Sequence, residues 1–140
     1  MLVLSSYCSK FERSPVAQLV ANLRDAVNLL VYLSVALGIV LLPQLYDLVP
    51  SWLFLSVLVG WLAYVIVAVL VAKGRSVAYP LAFVLALLTL AVSLPQPAHY
   101  SYVEAGPSLA SATFLFGSAL QLALAILIPT YLYRRKSSKR

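Results

Sequence analysis

Four polar side chains, Ser34, Tyr64, Thr89 and Gln121, sit inside otherwise apolar runs of this chain. At about 1.5 Å per residue along a helix, all four come to a similar depth near the middle of their runs. A phenol, an amide and two hydroxyls at that depth can bond one another and hold helices together, or they can line a path for a small solute. In either role an amide or phenol in hydrocarbon is costly unless it is hydrogen-bonded. The runs contain no Asp, Glu, Lys or Arg. A proton-coupled carrier needs such a group to load and release its proton, so interhelical bonding is the expected role. Asp25 with Asn28, at the edge of the first run and beside Arg24, is the nearest ionisable candidate.

Other chemistry is sparse. His99, Tyr100, Tyr102 and Glu104 share one loop, and Tyr46 and Asp47 lie in another. A weak cation site is conceivable there, but an aromatic-rich membrane rim is the expectation. One histidine, one cysteine and four scattered acids do not supply a metal site or a Cys/His dyad. No glycine-rich phosphate loop, disulfide-exchange pair or nucleophile elbow is present in the sequence. No catalytic, cofactor-binding or metal-ligating residue is therefore expected, and no cofactor. Cys8 reads as a free cytoplasmic thiol near the membrane, with acylation as the alternative. The apolar stretch before it is short and ends on the bulky Tyr7, so no cleavable signal peptide is expected.

The elements that must position these residues follow from composition. The chain has 140 residues, 63% apolar and 10% charged, where soluble domains run at roughly 45–50% and about 25%. A soluble fold of this size could not hide so many apolar side chains. The runs at about 26–43, 52–72, 77–94 and 110–133 approach or meet the roughly 17–25 residues that span a bilayer. The expected fold is an all-α integral membrane protein, a four-transmembrane-helix bundle running up-down-up-down, because short connections make sequential helices antiparallel neighbours. Residues 1–13 read as a flexible cytoplasmic lead. Residues 14–25 read as an amphipathic, interfacial helix start, with Ser14 as cap and Pro15 at the first helical position. Residues 26–133 form the transmembrane domain and 134–140 a basic tail. The first span is expected to stop at Pro43 and the third at Pro95.

The charges add an orientation. Lys10, Arg13, Arg24, Lys73, Arg75, Arg134, Arg135, Lys136, Lys139 and Arg140 all fall on one side of a four-span arrangement. The loops at 44–51 and 95–109 contain no Lys or Arg. The positive-inside rule then places both termini in the cytoplasm of a multi-pass protein of the cell membrane. The net charge of +6 belongs to that surface and not to nucleic acid, since no recognition motif accompanies it.

An internal repetition is also visible. LPQLYDLVPS at 42–51 and LPQPAHYSYVEAGPS at 94–108 carry the same punctuation. A shift of 52 superposes Leu42-Pro43-Gln44 on Leu94-Pro95-Gln96, and a shift of 57 superposes Pro50, Ser51, Gly60 and Ala68 on Pro107, Ser108, Gly117 and Ala125. Two tandem helical hairpins, related by an axis along the membrane normal, would explain it.

Small residues four apart let helices approach closely in lipid. That spacing marks Ser34 and Gly38 on the first helix, and Ser56, Gly60 and Ala68 on the second. It marks Ala78, Ala82 and Ala86 on the third, and Thr113, Gly117 and Ala125 on the fourth. The expected partners are therefore the lipid bilayer and either other membrane-protein subunits or a second copy of the chain. The expected function is non-catalytic, as a small accessory or assembly subunit of a membrane complex. The alternatives are a small homodimeric transporter or pore lined by Gln121, Tyr64, Ser34 and Thr89, and a holin-like permeabilising protein, with which the size and basic tail are compatible.

Overall fold

The computed structural model describes residues 15–46, 50–95, 104, 106 and 108–137. Four helices account for nearly all of them: α1 Pro15–Tyr46, α2 Ser51–Ala72, α3 Ala78–Ser93 and α4 Leu109–Ser137. Helices α1, α2 and α4 are long and apolar enough to cross a membrane. Helix α3, with 16 residues, rises about 24 Å and falls short of a roughly 30 Å hydrocarbon core. Ser14, with its expected capping role, and the 1–13 lead lie outside the described residues.

Each helix packs on two neighbours, α1 on α2 and α4, and α3 on α2 and α4. The contacts fix the directions. Tyr46 at the end of α1 meets Phe54 at the start of α2, edge-on with ring centroids 5.6 Å apart. Tyr79 at the start of α3 meets Tyr131 near the end of α4, at 4.8 Å. Ser34 and Leu37 of α1 face Gln121 and Gly117 of α4 in reverse order. Neighbours therefore run antiparallel around the bundle. Its interior is filled by Val27 and Val31 from α1, Val67, Ala68 and Val71 from α2, Ala78, Ala82 and Ala86 from α3, and Leu120, Leu124 and Ile128 from α4. Large apolar side chains such as Ile39, Val59, Ile66, Leu88 and Ile126 cover the outside. That is the arrangement expected where the surroundings are as apolar as the core.

Local chemistry sets the ends. Helix α2 closes with a left-handed Gly74, φ 66°. The Gly74 amide bonds Val71 and the Arg75 amide bonds Leu70, each at 2.9 Å. This is a Schellman cap, which a residue with a Cβ would strain. Helix α4 opens on a reciprocal box: the Ser111 amide donates to Ser108 Oγ at 3.1 Å, and the Ser108 amide donates to Ser111 Oγ at 2.9 Å. Two otherwise orphaned donors are satisfied there.

Pro43 does not end the first helix, which continues to Tyr46. The proline removes one backbone donor, the one that would bond Ile39 O four residues back. Gln44 Nε2 donates to the neighbouring carbonyl, Val40 O, at 2.7 Å. Pro129 inside α4 has the same companion: Thr130 Oγ1 donates to Ile126 O at 2.8 Å. In both places the side chain after the proline bonds the carbonyl four residues before it, as Ser34, Ser56, Thr89 and Thr113 also do.

Candidate functional site

At mid-depth a chain of hydrogen bonds crosses the bundle. Tyr64 of α2 donates its hydroxyl to Gln121 Oε1 on α4. Gln121 Nε2 donates to Ser34 Oγ on α1 at 3.3 Å, and Ser34 donates to Leu30 O one turn back at 3.0 Å. All three residues are buried. Helices α2 and α4 sit diagonally, so Tyr64 and Gln121 bond across the bundle centre. Thr89 completes the set differently. It is exposed on α3, donates to Leu85 O at 2.8 Å, and comes within reach of the Tyr64 phenol. Among the described residues no buried side-chain nitrogen or oxygen lacks a partner, so the polar groups in the core are spent on one another.

A second polar contact links the helices by a close approach. Trp61 Nε1 donates to Val35 O at 2.9 Å, and its indole lies over Gly38. A Cβ at Gly38 would land on the ring. That requirement, together with the buried Ser34 one turn before, makes the α1 row a true inner seam. The alanines of α3 form another, since Ala78, Ala82 and Ala86 are fully buried. On α4, Thr113 is buried and donates to Leu109 O, while a Cβ at Gly117 would meet Leu37 Cδ2 at 3.2 Å. Ala125 is half-buried.

Helix α2 corrects the expectation of an inner seam along its whole row. Ser56 is exposed and bonds only its own Trp52 carbonyl, and a Cβ at Gly60 would meet nothing within 4 Å. Only Tyr64 and Ala68, further along the same row, are buried. The reason is rotation. A step of four residues overshoots a 3.6-residue turn by about 40°, so Ser56 and Ala68 point about 120° apart.

The basic end of the bundle forms the other site. A pocket of about 360 Å³ opens there, among Arg24 and Asn28 of α1, Gly74 and Ser76 of the α2–α3 turn, Tyr79 of α3, and Tyr131 and Arg135 of α4. Tyr79 OH donates to Asn28 Oδ1 at 3.3 Å. Lys73, Arg75, Arg134 and Lys136 flank these residues in sequence and share the same end. The motifs of the sequence do not single out this pocket, although a signal exists. Asn28 follows Arg24 by four residues on α1, and Tyr131 precedes Arg135 by four on α4. Each spacing puts a polar side chain on the face of a cation.

Asp25 is exposed and pairs with Arg24 at 3.3 Å. Glu104 is exposed near the opposite end. Lys10, Arg13, Lys139, Arg140, Cys8, Asp47, His99, Tyr100 and Tyr102 lie outside the described residues. Comparison with models of known protein families, with characterised proteins and with solved structures finds no match to this chain.

Proposed function

We propose that the chain is a non-catalytic membrane protein that crosses the bilayer four times and acts through lateral helix contacts, as a small subunit or assembly partner in a membrane complex. The observation that carries this reading is the outward Ser56–Gly60 row on α2. An exposed serine and a half-buried glycine leave a gap between the bulky Leu55, Val59 and Leu62, which are themselves exposed, and the space above Gly60 is open. In lipid such a groove gains little from isolated acyl chains. It gains close van der Waals contact from a second helix. The closed Tyr64–Gln121–Ser34 chain supports packing over a solute path, because its groups are already bonded.

Helix α3 crosses as the shortest of the four, with Val77 and Leu94 extending its apolar length and local bilayer thinning accommodating the rest. The gathering of Arg24, Lys73, Arg75 and Arg134–Lys136 at one end supports an orientation with both termini in the cytoplasm. The other end, at Tyr46, Pro50, Ser51 and Pro95, carries none of these charges.

Purification in mild detergent followed by native mass measurement tests the reading. The proposal expects species heavier than the 15.2 kDa monomer, containing an unrelated subunit. A homodimer would assign the groove to a second copy instead. A monomer with no associated chain, recovered from membranes under several mild detergents, would refute it.

A further inference from the structure

The pocket at the basic end has a chemistry that the helix-contact reading does not use. Two guanidinium groups, Arg24 from α1 and Arg135 from α4, converge on it from different helices. The only carboxylate nearby among the described residues is Asp25. Its contact with Arg24 joins side chains that are 53% and 66% exposed, and such exposed pairs are weak and screened. No ion pair engages Arg135 among the described residues. Tyr79 donates to the Asn28 carbonyl oxygen, which occupies the amide's acceptor and leaves its two N–H groups as donors. Ser76 adds a hydroxyl. The lining thus joins two guanidinium groups to an amide and hydroxyls able to donate, and it holds no carboxylate.

We propose that this pocket binds a phosphate group, taken from the headgroup of an anionic lipid or from a soluble phosphate. The guanidinium fork matches phosphate oxygens two at a time, which an ammonium does not do. The volume of about 360 Å³ falls within the roughly 300–1,000 Å³ of small-molecule sites. Lys73, Arg75, Arg134 and Lys136 raise the local concentration of anions around the mouth. The position favours the lipid source. Val77, which caps α3 immediately beyond Ser76, and Leu81, one turn deeper, are exposed, so acyl chains can lie beneath a bound headgroup, and basic pockets between membrane helices hold headgroups in this way. The site does not depend on whether the α2 groove holds a partner.

The test uses the full chain in an uncharged detergent, with native mass spectrometry after addition of phosphatidylglycerol or phosphatidylcholine. The wild type should retain one phosphatidylglycerol per chain at least tenfold more tightly than phosphatidylcholine. Arg24→Gln with Arg135→Gln should abolish the difference. Lys73→Gln with Arg134→Gln removes the same charge from the same end but outside the pocket, and should keep most of it. Arg135→Lys, which keeps the charge and loses the fork, should fall between, with unchanged helical circular dichroism. Sodium phosphate separates the sources: no displacement at millimolar concentration assigns the site to lipid, and displacement with the same arginine dependence assigns it to soluble phosphate. Equal retention of the two lipids by the wild type together with no effect of phosphate would overturn the proposal. So would an equal loss in the two double variants, which would reduce the effect to diffuse charge.

Discussion

Ser56–Gly60 on α2 and Thr113–Gly117 on α4 occupy matching places under the 57-residue shift, yet their surroundings are opposite. The α4 pair lies inside, with Thr113 buried and Gly117 close to Leu37. The α2 pair is open, with Ser56 exposed and bonded to its own helix and free space above the half-buried Gly60. One turn further along, the two rows converge, and Tyr64 and Gln121 bond each other. The buried residues of α2 run only from Tyr64 to Val71, whereas those of α4 run from Ser111 to Tyr131. A small residue every fourth position therefore licenses a close approach without saying which neighbour makes it. The neighbour decides, and on α1 it is Trp61 lying over Gly38.

Substitution should rank these positions sharply. The largest effect belongs to Gly38→Leu, whose side chain must displace the Trp61 indole and break its bond to Val35 O. Overpacking of this kind costs typically about 1–3 kcal/mol, and with a rigid ring as the obstacle the upper end or more is expected. Denaturation of the purified protein in mixed micelles measures it. Gly117→Leu should cost about 1–2 kcal/mol in the same assay, because the Leu37 methyl it meets ends a flexible side chain and can turn aside. A larger loss at Gly117 than at Gly38 would invert the account of which seam is tight.

The polar chain should respond less. Gln121→Leu roughly keeps volume but leaves the Tyr64 hydroxyl and Ser34 Oγ without their α4 partner. Intramembrane hydrogen bonds average about 0.6 kcal/mol each, with a maximum near 1.7, so a loss of about 1 kcal/mol is expected. Tyr64→Phe should lose about half as much by the same reasoning. In a double-mutant cycle the two should be strongly non-additive, since both remove the same bond. Additive effects would mean that the bond contributes nothing.

Much of this architecture is legible before any coordinates. The absence of charge from four runs, and the gathering of every Lys and Arg at their alternate ends, lead directly to a helical membrane chain. The shared depth of Ser34, Tyr64 and Gln121 follows from counting residues. The Pro43 boundary does not follow, because a proline can be carried inside a helix and α1 runs on through it to Tyr46. The direction of the Ser56–Gly60 row is hidden too, since four-residue spacing drifts around a helix and only packing shows where it points. Gly38 could be named as small, but the indole covering it belongs to a tryptophan that no spacing rule connects to it. The pocket of Arg24, Asn28, Tyr79, Tyr131 and Arg135 draws these side chains from three helices, and the pairs on α1 and α4 look local when read alone.

Gly60→Leu is the smallest expected effect on the isolated chain and the most informative for the account. The open space above Gly60 accepts the new side chain, so stability should stay within about 0.5 kcal/mol of the wild type, as at other exposed positions. The decisive measurement is native mass of wild type and Gly60→Leu purified side by side in mild detergent. The α2 groove predicts that the wild type carries an associated chain and that Gly60→Leu, equally stable, loses it. An associated chain retained in full by Gly60→Leu would contradict the claim that this face of α2 is where the protein meets its partner.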